Sequence, residues 1–130
     1  GVVTISVHCA QNFPFRKTVS YHDIAVESGA GDDEYLSVID DAMALVEQYE
    51  PDLLLFQAGV DGLAEDALGR LELSREGMRY RNKRVFDYVL DNEVPCVVFM
   101  GGGYSKPIEH TVDSLVDLFR GAANANSLLP

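Results

Sequence analysis

With 130 residues, 47% of them hydrophobic and 24% charged, the chain is typical of one globular domain with its own core and not of a disordered protein. Ten basic against 21 acidic residues give a formal net charge of −11, which argues against nucleic acid as a partner because phosphate binding needs a basic surface. No apolar run is long enough to span a bilayer and no charged-then-apolar leader opens the sequence, so we predict a cytoplasmic protein without membrane contact.

The first half of the chain predicts one strand and one helix. β-Branched residues alternate in Val2–Val7, a pattern typical of a strand, and a turn-rich segment follows. Further on, apolar residues recur at helical spacing as far as Tyr49, and Pro51 ends the pattern. Asp32 or Asp33 is placed to cap this helix at its N-terminus.

The second half predicts two more strand–helix pairs. The strands are Leu53–Gln57 and Pro95–Met100. The helix between them begins after Ser74, a candidate N-cap, and reaches about Leu90. Pro107 suits the first turn of the last helix. The inward-facing apolar residues of these two helices are predicted to be Met78, Val85 and Val89, then Ile108, Val112, Leu115 and Phe119.

This order of elements predicts an α/β fold. Strands that alternate with helices form a parallel sheet with right-handed crossovers and helices on both faces, so three α/β/α layers are expected. Gly121 is expected to end the last helix, which leaves residues 1–121 as one unit and residues 122–130 as a C-terminal tail.

Three polar residues directly follow predicted strands: His8, Asp61 and Tyr104. In open α/β sheets, ligands bind outside the carboxyl ends of the strands. We therefore expect these three side chains to converge on one edge of the sheet.

Asp61 has two candidate roles. A carboxylate on a short loop after a buried strand can bind a metal ion, but one carboxylate is little evidence for zinc, which takes about three protein ligands. The alternative is a turn aspartate that accepts hydrogen bonds from its own backbone. Asp66, further along the same loop, is interpreted as a brace.

The segment Gly101–Gly103 leaves the last strand and leads into Tyr104. It lacks the lysine and Ser/Thr spacing of a phosphate-binding loop, so we interpret the glycines as letting the backbone pass close to a ligand. The Tyr104 hydroxyl would then be a neutral donor toward a reacting carbonyl. A buried or capping tyrosine is the alternative.

The remaining polar residues are interpreted as structural. His8 is expected to be hydrogen-bonded rather than to form a second metal site with His22 and Asp23. The charge-rich segment Arg79–Arg84 is expected to be a solvated helix face. Cys96 lies inside a predicted strand and is expected to be a buried free thiol.

Several of these segments, in the same order along the chain, resemble the C-terminal half of the zinc-dependent histone deacetylase family. The resemblance is carried by QAGVDGLAEDALGRLELS, which begins at Gln57, and by VPCVVFMGGGYS, which begins at Val94. The shorter matches FPFRK, DDEYL and SLVDLF are similar to class IV and related bacterial members in particular. The resemblance extends from Val2 to Phe119 and implies the arginase/deacetylase fold, a zinc cofactor, and removal of acetyl groups from acetylated lysine or other amines.

The resemblance also implies roles for individual residues. Asp61 would be a zinc ligand, and Tyr104 would polarise the amide carbonyl and stabilise the tetrahedral intermediate. The residues implied in the acyl-lysine pocket are Phe13 and Leu68 in its wall and Gly102 and Gly103 in its floor. Ser6 and Val7 match a strand end that, in some members, helps to hold a monovalent cation.

The chain lacks the other parts of that site. The family takes two more zinc ligands from an Asp-x-Asp-x-His segment and its general base from a His-His pair, and neither occurs in this sequence. We therefore expect the isolated chain to bind no zinc and to be inactive until a complementing N-terminal half is supplied.

Two other functions compete with this interpretation. A non-catalytic binding or assembly module could keep the deacetylase scaffold, and its uncovered apolar surfaces would then pair to give a homo-oligomer. A nucleotide-binding domain is disfavoured because no Gly-x-Gly-x-x-Gly follows the first strand.

Overall fold

Four short strands and three long helices make up the fold. The computed structural model describes all residues, 1–130. The elements in chain order are β1 (Ile5–Cys9), β2 (His22–Val26), α1 (Asp32–Tyr49), β3 (Leu54–Gln57), α2 (Arg75–Asn92), β4 (Cys96–Phe99) and α3 (Glu109–Leu128). The α/β class and the three helices agree with the prediction, and none of the helices is long and apolar enough to cross a bilayer.

The strands form two small parallel sheets rather than the single sheet predicted. One sheet pairs β1 with β2, and the other pairs β3 with β4, with Leu54 opposite Cys96 and Gln57 opposite Phe99. Parallel pairing is therefore confirmed. Strand β2 was missed, because it begins with the polar residues His22 and Asp23 and follows a turn-rich segment.

The core lies between the strands and the helices. Helix α2 packs against both α1 and α3, while α1 also contacts β1 and β2. The largest fully buried side chains of the core are Leu63, Leu73, Met78 and Leu118. Met78, Val85 and Val89 are all buried on α2, which confirms the predicted inward face of that helix.

Helix α2 begins as predicted, whereas the cap of α1 is different. The Ser74 hydroxyl accepts a hydrogen bond from the Gly77 amide at 3.0 Å. The N-cap of α1 is Gly31, without a side-chain cap, so the predicted capping role of Asp32 or Asp33 is wrong. Asp32 instead accepts a hydrogen bond from the Ser74 amide at 2.9 Å, which joins the N-termini of the two helices.

Helix α3 differs from the prediction in its length and in its buried face. It continues through Leu128, so most of the predicted tail, residues 122–130, is helical. Gly121 does not end the helix. It instead allows a close approach to α2, because a Cβ atom there would lie 2.9 Å from Phe86 Cε2. Leu118 is fully buried, and Leu115 is half-buried against the core as predicted. The other residues predicted to face inward are exposed: Ile108, Val112 and Phe119.

Two apolar surfaces of the chain have no partner within it. On the β3–β4 sheet, Leu55 and Val97 alternate with half-buried neighbours and face outward. On α3, exposed apolar side chains recur along one stripe, which consists of Ile108, Val112, Val116 and Phe119. The sheet therefore has helices packed on one face only.

Helices α2 and α3 are also joined by an ion-pair cluster around Asp117. Its carboxylate accepts hydrogen bonds from Arg75 Nε at 2.6 Å and from Arg79 Nε at 2.9 Å. The side chain of Asp117 is 8% exposed, whereas both arginines are nearly half exposed, so solvent partly screens these contacts. The hydrogen bonds from the two arginines hold the pKa of Asp117 well below its usual range.

Lowering the pH is expected to weaken this α2–α3 contact. Because the pKa of Asp117 is lower in the folded than in the unfolded chain, its stabilisation is complete above the ordinary aspartate pKa of about 4. The stabilisation is lost progressively as the pH falls from there towards the folded value. Urea unfolding at about pH 7 and about pH 3 should show a smaller acid-induced loss for Asp117→Asn than for the wild type. Asp113→Asn, at a more exposed partner of Arg75, should respond like the wild type. An equal loss in Asp117→Asn and the wild type would contradict this role.

Candidate functional site

The loops that follow β3 and β4 lie against each other, backbone to backbone. The Val60 amide donates to the Gly102 carbonyl at 2.7 Å. A Cβ atom on Gly59 would lie 2.9 Å from the Gly102 nitrogen, and one on Gly103 would lie 2.7 Å from Val60 Cγ2. The glycines therefore let the two loops touch, which places the residues of both loops in one site.

Asp61 lies at the contact between these loops. Its side chain is exposed and packs over Gly102, where a Cβ atom would be 3.0 Å from Asp61 Cγ. The glycine at 102 thus gives this carboxylate its space. Asp61 takes no part in the hydrogen bonds of the turn, which are accepted by Asp66 instead.

Asp66 holds the site together from the centre of the loop. One carboxylate oxygen, Oδ1, accepts from the amides of Leu68 at 2.9 Å and Gly69 at 2.7 Å. The other, Oδ2, accepts from the Tyr104 amide at 2.7 Å. Its interpretation as a brace is confirmed, and the brace spans both loops rather than one.

Tyr104 is fixed through its backbone and leaves its side chain in solvent. Its amide is bound by Asp66, and its carbonyl accepts from the Ala67 amide at 3.0 Å. The side chain is 61% exposed, so Tyr104 is not a buried tyrosine. Leu68, beside it on the Asp61 loop, is also exposed. A phenol and an apolar side chain are thus presented together at the surface.

Arg81 supports the site from below and was not found by sequence reasoning. It is 5% exposed, and its guanidinium donates to the Gly59 carbonyl at 2.7 Å and to Asn82 Oδ1 at 2.9 Å. The prediction of a solvated face over 79–84 is therefore wrong for Arg81 and Asn82. The usable signal was helical spacing, because Arg81 falls between the inward-facing Met78 and Val85.

Phe13 and His8 lie outside the loops that follow β3 and β4. Phe13 is 84% exposed and packs edge-to-face on Phe15, at 6.2 Å between ring centroids. His8 is hydrogen-bonded through Nδ1 to Ser6 Oγ at 3.0 Å, in line with its structural interpretation. His8 belongs to the β1–β2 sheet, whereas the loops that carry Asp61 and Tyr104 follow the strands of the other sheet, so its convergence with Asp61 stays a prediction.

The residues of this chain do not by themselves fit a zinc site. Zinc is usually held by about three protein ligands in catalytic sites and four in structural ones. Asp61 offers one carboxylate, and no group of three or more His, Cys, Asp or Glu side chains lies close enough together to hold a metal ion. His22, which was weighed for a second metal site, is bonded through Nε2 to the Tyr49 hydroxyl at 2.8 Å.

Comparison with known proteins gives consistent matches. A family model described as the histone deacetylase domain matches residues 1–119. An uncharacterised protein of Picosynechococcus sp. is 37% identical over 112 residues, which are 85% of this chain and 37% of that protein. Histone deacetylase 2 of Arabidopsis thaliana is 34% identical over 99 residues, which are 75% of this chain and 26% of that protein.

A solved structure agrees at the level of the fold. The acetylpolyamine aminohydrolase from Burkholderia pseudomallei superposes with a TM-score of 0.74 at 18% identity, over 97% of this chain and 38% of that one. The chain therefore spans between about a quarter and little more than a third of the length of these proteins. Since the family model covers nearly all of its residues, the chain belongs to the histone deacetylase domain family.

Proposed function

We propose that the chain is the C-terminal half of a zinc-dependent deacetylase-like amidohydrolase, which removes acetyl groups from acetylated lysine or other amines. The observation that supports this most directly is the contact between the two loops, which presents Asp61 and Tyr104 from adjacent strands. Both side chains are exposed, so both are free to take part in a site that another segment completes.

In this proposal each residue has a defined task. Asp61 contributes one carboxylate oxygen to a zinc site whose other ligands come from an N-terminal half. The Tyr104 hydroxyl donates a hydrogen bond to the substrate carbonyl oxygen and stabilises the negative charge that develops there. The proposed pocket residues are Phe13 and Leu68 in the wall, with Gly102 and Gly103 in the floor.

The uncovered surfaces support the need for a second half. The outward face of the β3–β4 sheet carries Leu55, Val97 and Phe99, and both two-stranded sheets have open edges. Surfaces of this kind are normally covered by further strands and helices. We propose that the N-terminal half adds strands to the sheet and a helical layer on its open face, which would complete a three-layer α/β/α architecture.

Complementation tests this function. The chain is co-expressed with the segment that precedes the matched region in the Picosynechococcus relative, and turnover of an acetyl-lysine peptide and bound zinc are measured. The isolated chain is expected to be inactive, whereas the complex should gain zinc and activity. Tyr104→Phe should then lower kcat about 100-fold, because it removes one oxyanion donor. Tyr80→Phe, at a half-exposed tyrosine of α2, is the matched control and should leave kcat unchanged.

The outcomes separate the parts of the proposal. Stoichiometric zinc and steady turnover by the isolated chain would contradict the half-site. A complex that binds zinc but leaves the acetyl-lysine peptide and acetylated polyamines intact would contradict the deacylase function.

A second candidate function is an oligomeric assembly module built on the same scaffold. The exposed stripe of α3 favours it, because four apolar side chains in a row can pair with a second copy. Light scattering of the isolated chain distinguishes the two: a stable oligomer that does not bind the N-terminal segment supports the module, and a monomer at high concentration argues against it.

A further inference from the structure

The geometry points to Asp66 as the positioning residue that sets Tyr104 relative to the Leu68 turn. This inference rests on the proposed role of Tyr104 and adds the means by which its position is held. The Asp66 carboxylate accepts three backbone hydrogen bonds, two from the Leu68 turn and one from Tyr104, all between 2.7 and 2.9 Å. No other side chain bonds both segments in this way.

The two carboxylate oxygens of Asp66 bind different segments. Oδ1 closes the turn over Leu68 and Gly69, while Oδ2 reaches across to Tyr104 on the other loop. The Ala67 amide returns a bond to the Tyr104 carbonyl, so the two segments pair in one fixed register. A shift of the Tyr104 backbone away from this loop must therefore break a bond to a charged acceptor, and such bonds are about twice as strong as neutral ones.

Tyr104 depends on this bond because little else restrains it. Its side chain is 61% exposed, so the surrounding core does not fix the ring by packing. Its backbone follows three glycines, which tolerate a wide range of conformations. A donor to a developing oxyanion must be placed within a few tenths of an ångström, so the precision has to come from the backbone bonds on either side of the ring.

The variant Asp66→Asn distinguishes the hydrogen bonds of the two carboxylate oxygens. An asparagine has a single acceptor oxygen, which can remain on the Leu68 and Gly69 amides, but its NH₂ group then faces the Tyr104 amide donor to donor. The turn would be kept and the link to Tyr104 lost. Glu65→Gln is the matched control, because Glu65 is the adjacent exposed acid and lies in the same loop.

The first measurement uses the chain alone and does not depend on catalysis. Amide hydrogen exchange followed by NMR should show the Tyr104 amide exchanging about 10-fold faster in Asp66→Asn, the loss expected for one charge-assisted bond. The Leu68 and Gly69 amides should keep their protection, and Glu65→Gln should match the wild type. Unchanged protection of Tyr104, or equal loss at all three amides, would overturn the inference.

The second measurement uses the complex with the N-terminal half. Asp66→Asn should lower kcat about 10-fold with KM within a factor of about two, because the hydroxyl acts mainly on the transition state. A loss confined to KM would assign Asp66 to substrate binding and overturn the positioning role. If the wild-type complex is inactive, the proposed function fails, while the exchange experiment still decides whether Asp66 holds Tyr104.

Discussion

Replacing Arg81 with methionine is expected to lower the free energy of unfolding by about 3 kcal/mol, because it leaves buried acceptors without a donor. The guanidinium donates to the carbonyls of Gly59 and Ala58 and to the side chain of Asn82. Methionine fills much of the same volume but supplies no hydrogen bond. Urea unfolding followed by far-UV circular dichroism measures the loss.

Because of the position of Arg81, the substitution should disturb the Asp61 loop as well as lower the stability of the whole chain. The carbonyls that it binds belong to the start of the loop that carries Asp61. Arg81→Lys should recover part of the stability, since an ammonium group can reach one carbonyl but cannot form the same fork. Arg120→Met, on the exposed face of α3, is the control and should change stability by no more than about 0.5 kcal/mol. Equal losses for Arg81→Met and Arg120→Met would show that the buried contacts contribute nothing.

Capping residues and the spacing of apolar residues predicted those helices and strands that depend on interactions between neighbours in the sequence. The helical spacing up to Tyr49 and the Ser74 cap both correspond to real helix boundaries. Strands β3 and β4 were found because each is a short apolar run between turn residues. Strand β2 has only the three apolar residues Ile24–Val26 after His22 and Asp23, and its pairing with β1 is a tertiary event.

The buried face of α3 was predicted only at Leu115, because hydrophobicity and burial do not coincide along most of this helix. The stripe that includes Ile108 and Val112 is the more apolar one, and it is exposed. The buried residues of α3 are Leu118 and three small side chains: Thr111, Ser114 and Ala125. The proposed N-terminal half would supply a physical reason, because a face that another segment covers stays apolar in the sequence.

The residues of the candidate site could be predicted from the sequence only in part. Asp61 and Tyr104 follow strands, and parallel strands place such residues at one edge of a sheet. The residues that hold these two in place, Arg81 and Asp66, could not be assigned that role from the sequence. Arg81 belongs to a charge-rich stretch in which five of six residues suggest a solvated helix face, and only the path of the Asp61 loop explains why it is buried. The link from Asp66 to Tyr104 joins residues 38 positions apart, which no local pattern encodes.

Gly69→Ala is expected to be about as damaging as the loss of Arg81, with a cost of about 3 kcal/mol from overpacking. A Cβ atom at Gly69 would lie 2.0 Å from the carbonyl oxygen of Asp61 and 3.4 Å from Asp66 Oδ1. The carbonyl belongs to the backbone and cannot rotate aside like a side chain, so the loop must open. That movement would separate Asp61 from the turn that Asp66 closes.

Gly31→Ala is the matched control for Gly69→Ala, because the nearest atom to a Cβ there is the Glu72 carbonyl oxygen at 3.9 Å. Gly31 is the N-cap of α1, where alanine costs about 1 kcal/mol or less relative to glycine. Urea unfolding should therefore give a much lower free energy of unfolding for Gly69→Ala than for Gly31→Ala. The NMR signals of the amides around Asp61 should change only in Gly69→Ala. If both variants unfold at the same urea concentration, the loop can accept a methyl group at residue 69, and the close contact with Asp61 does not constrain the site.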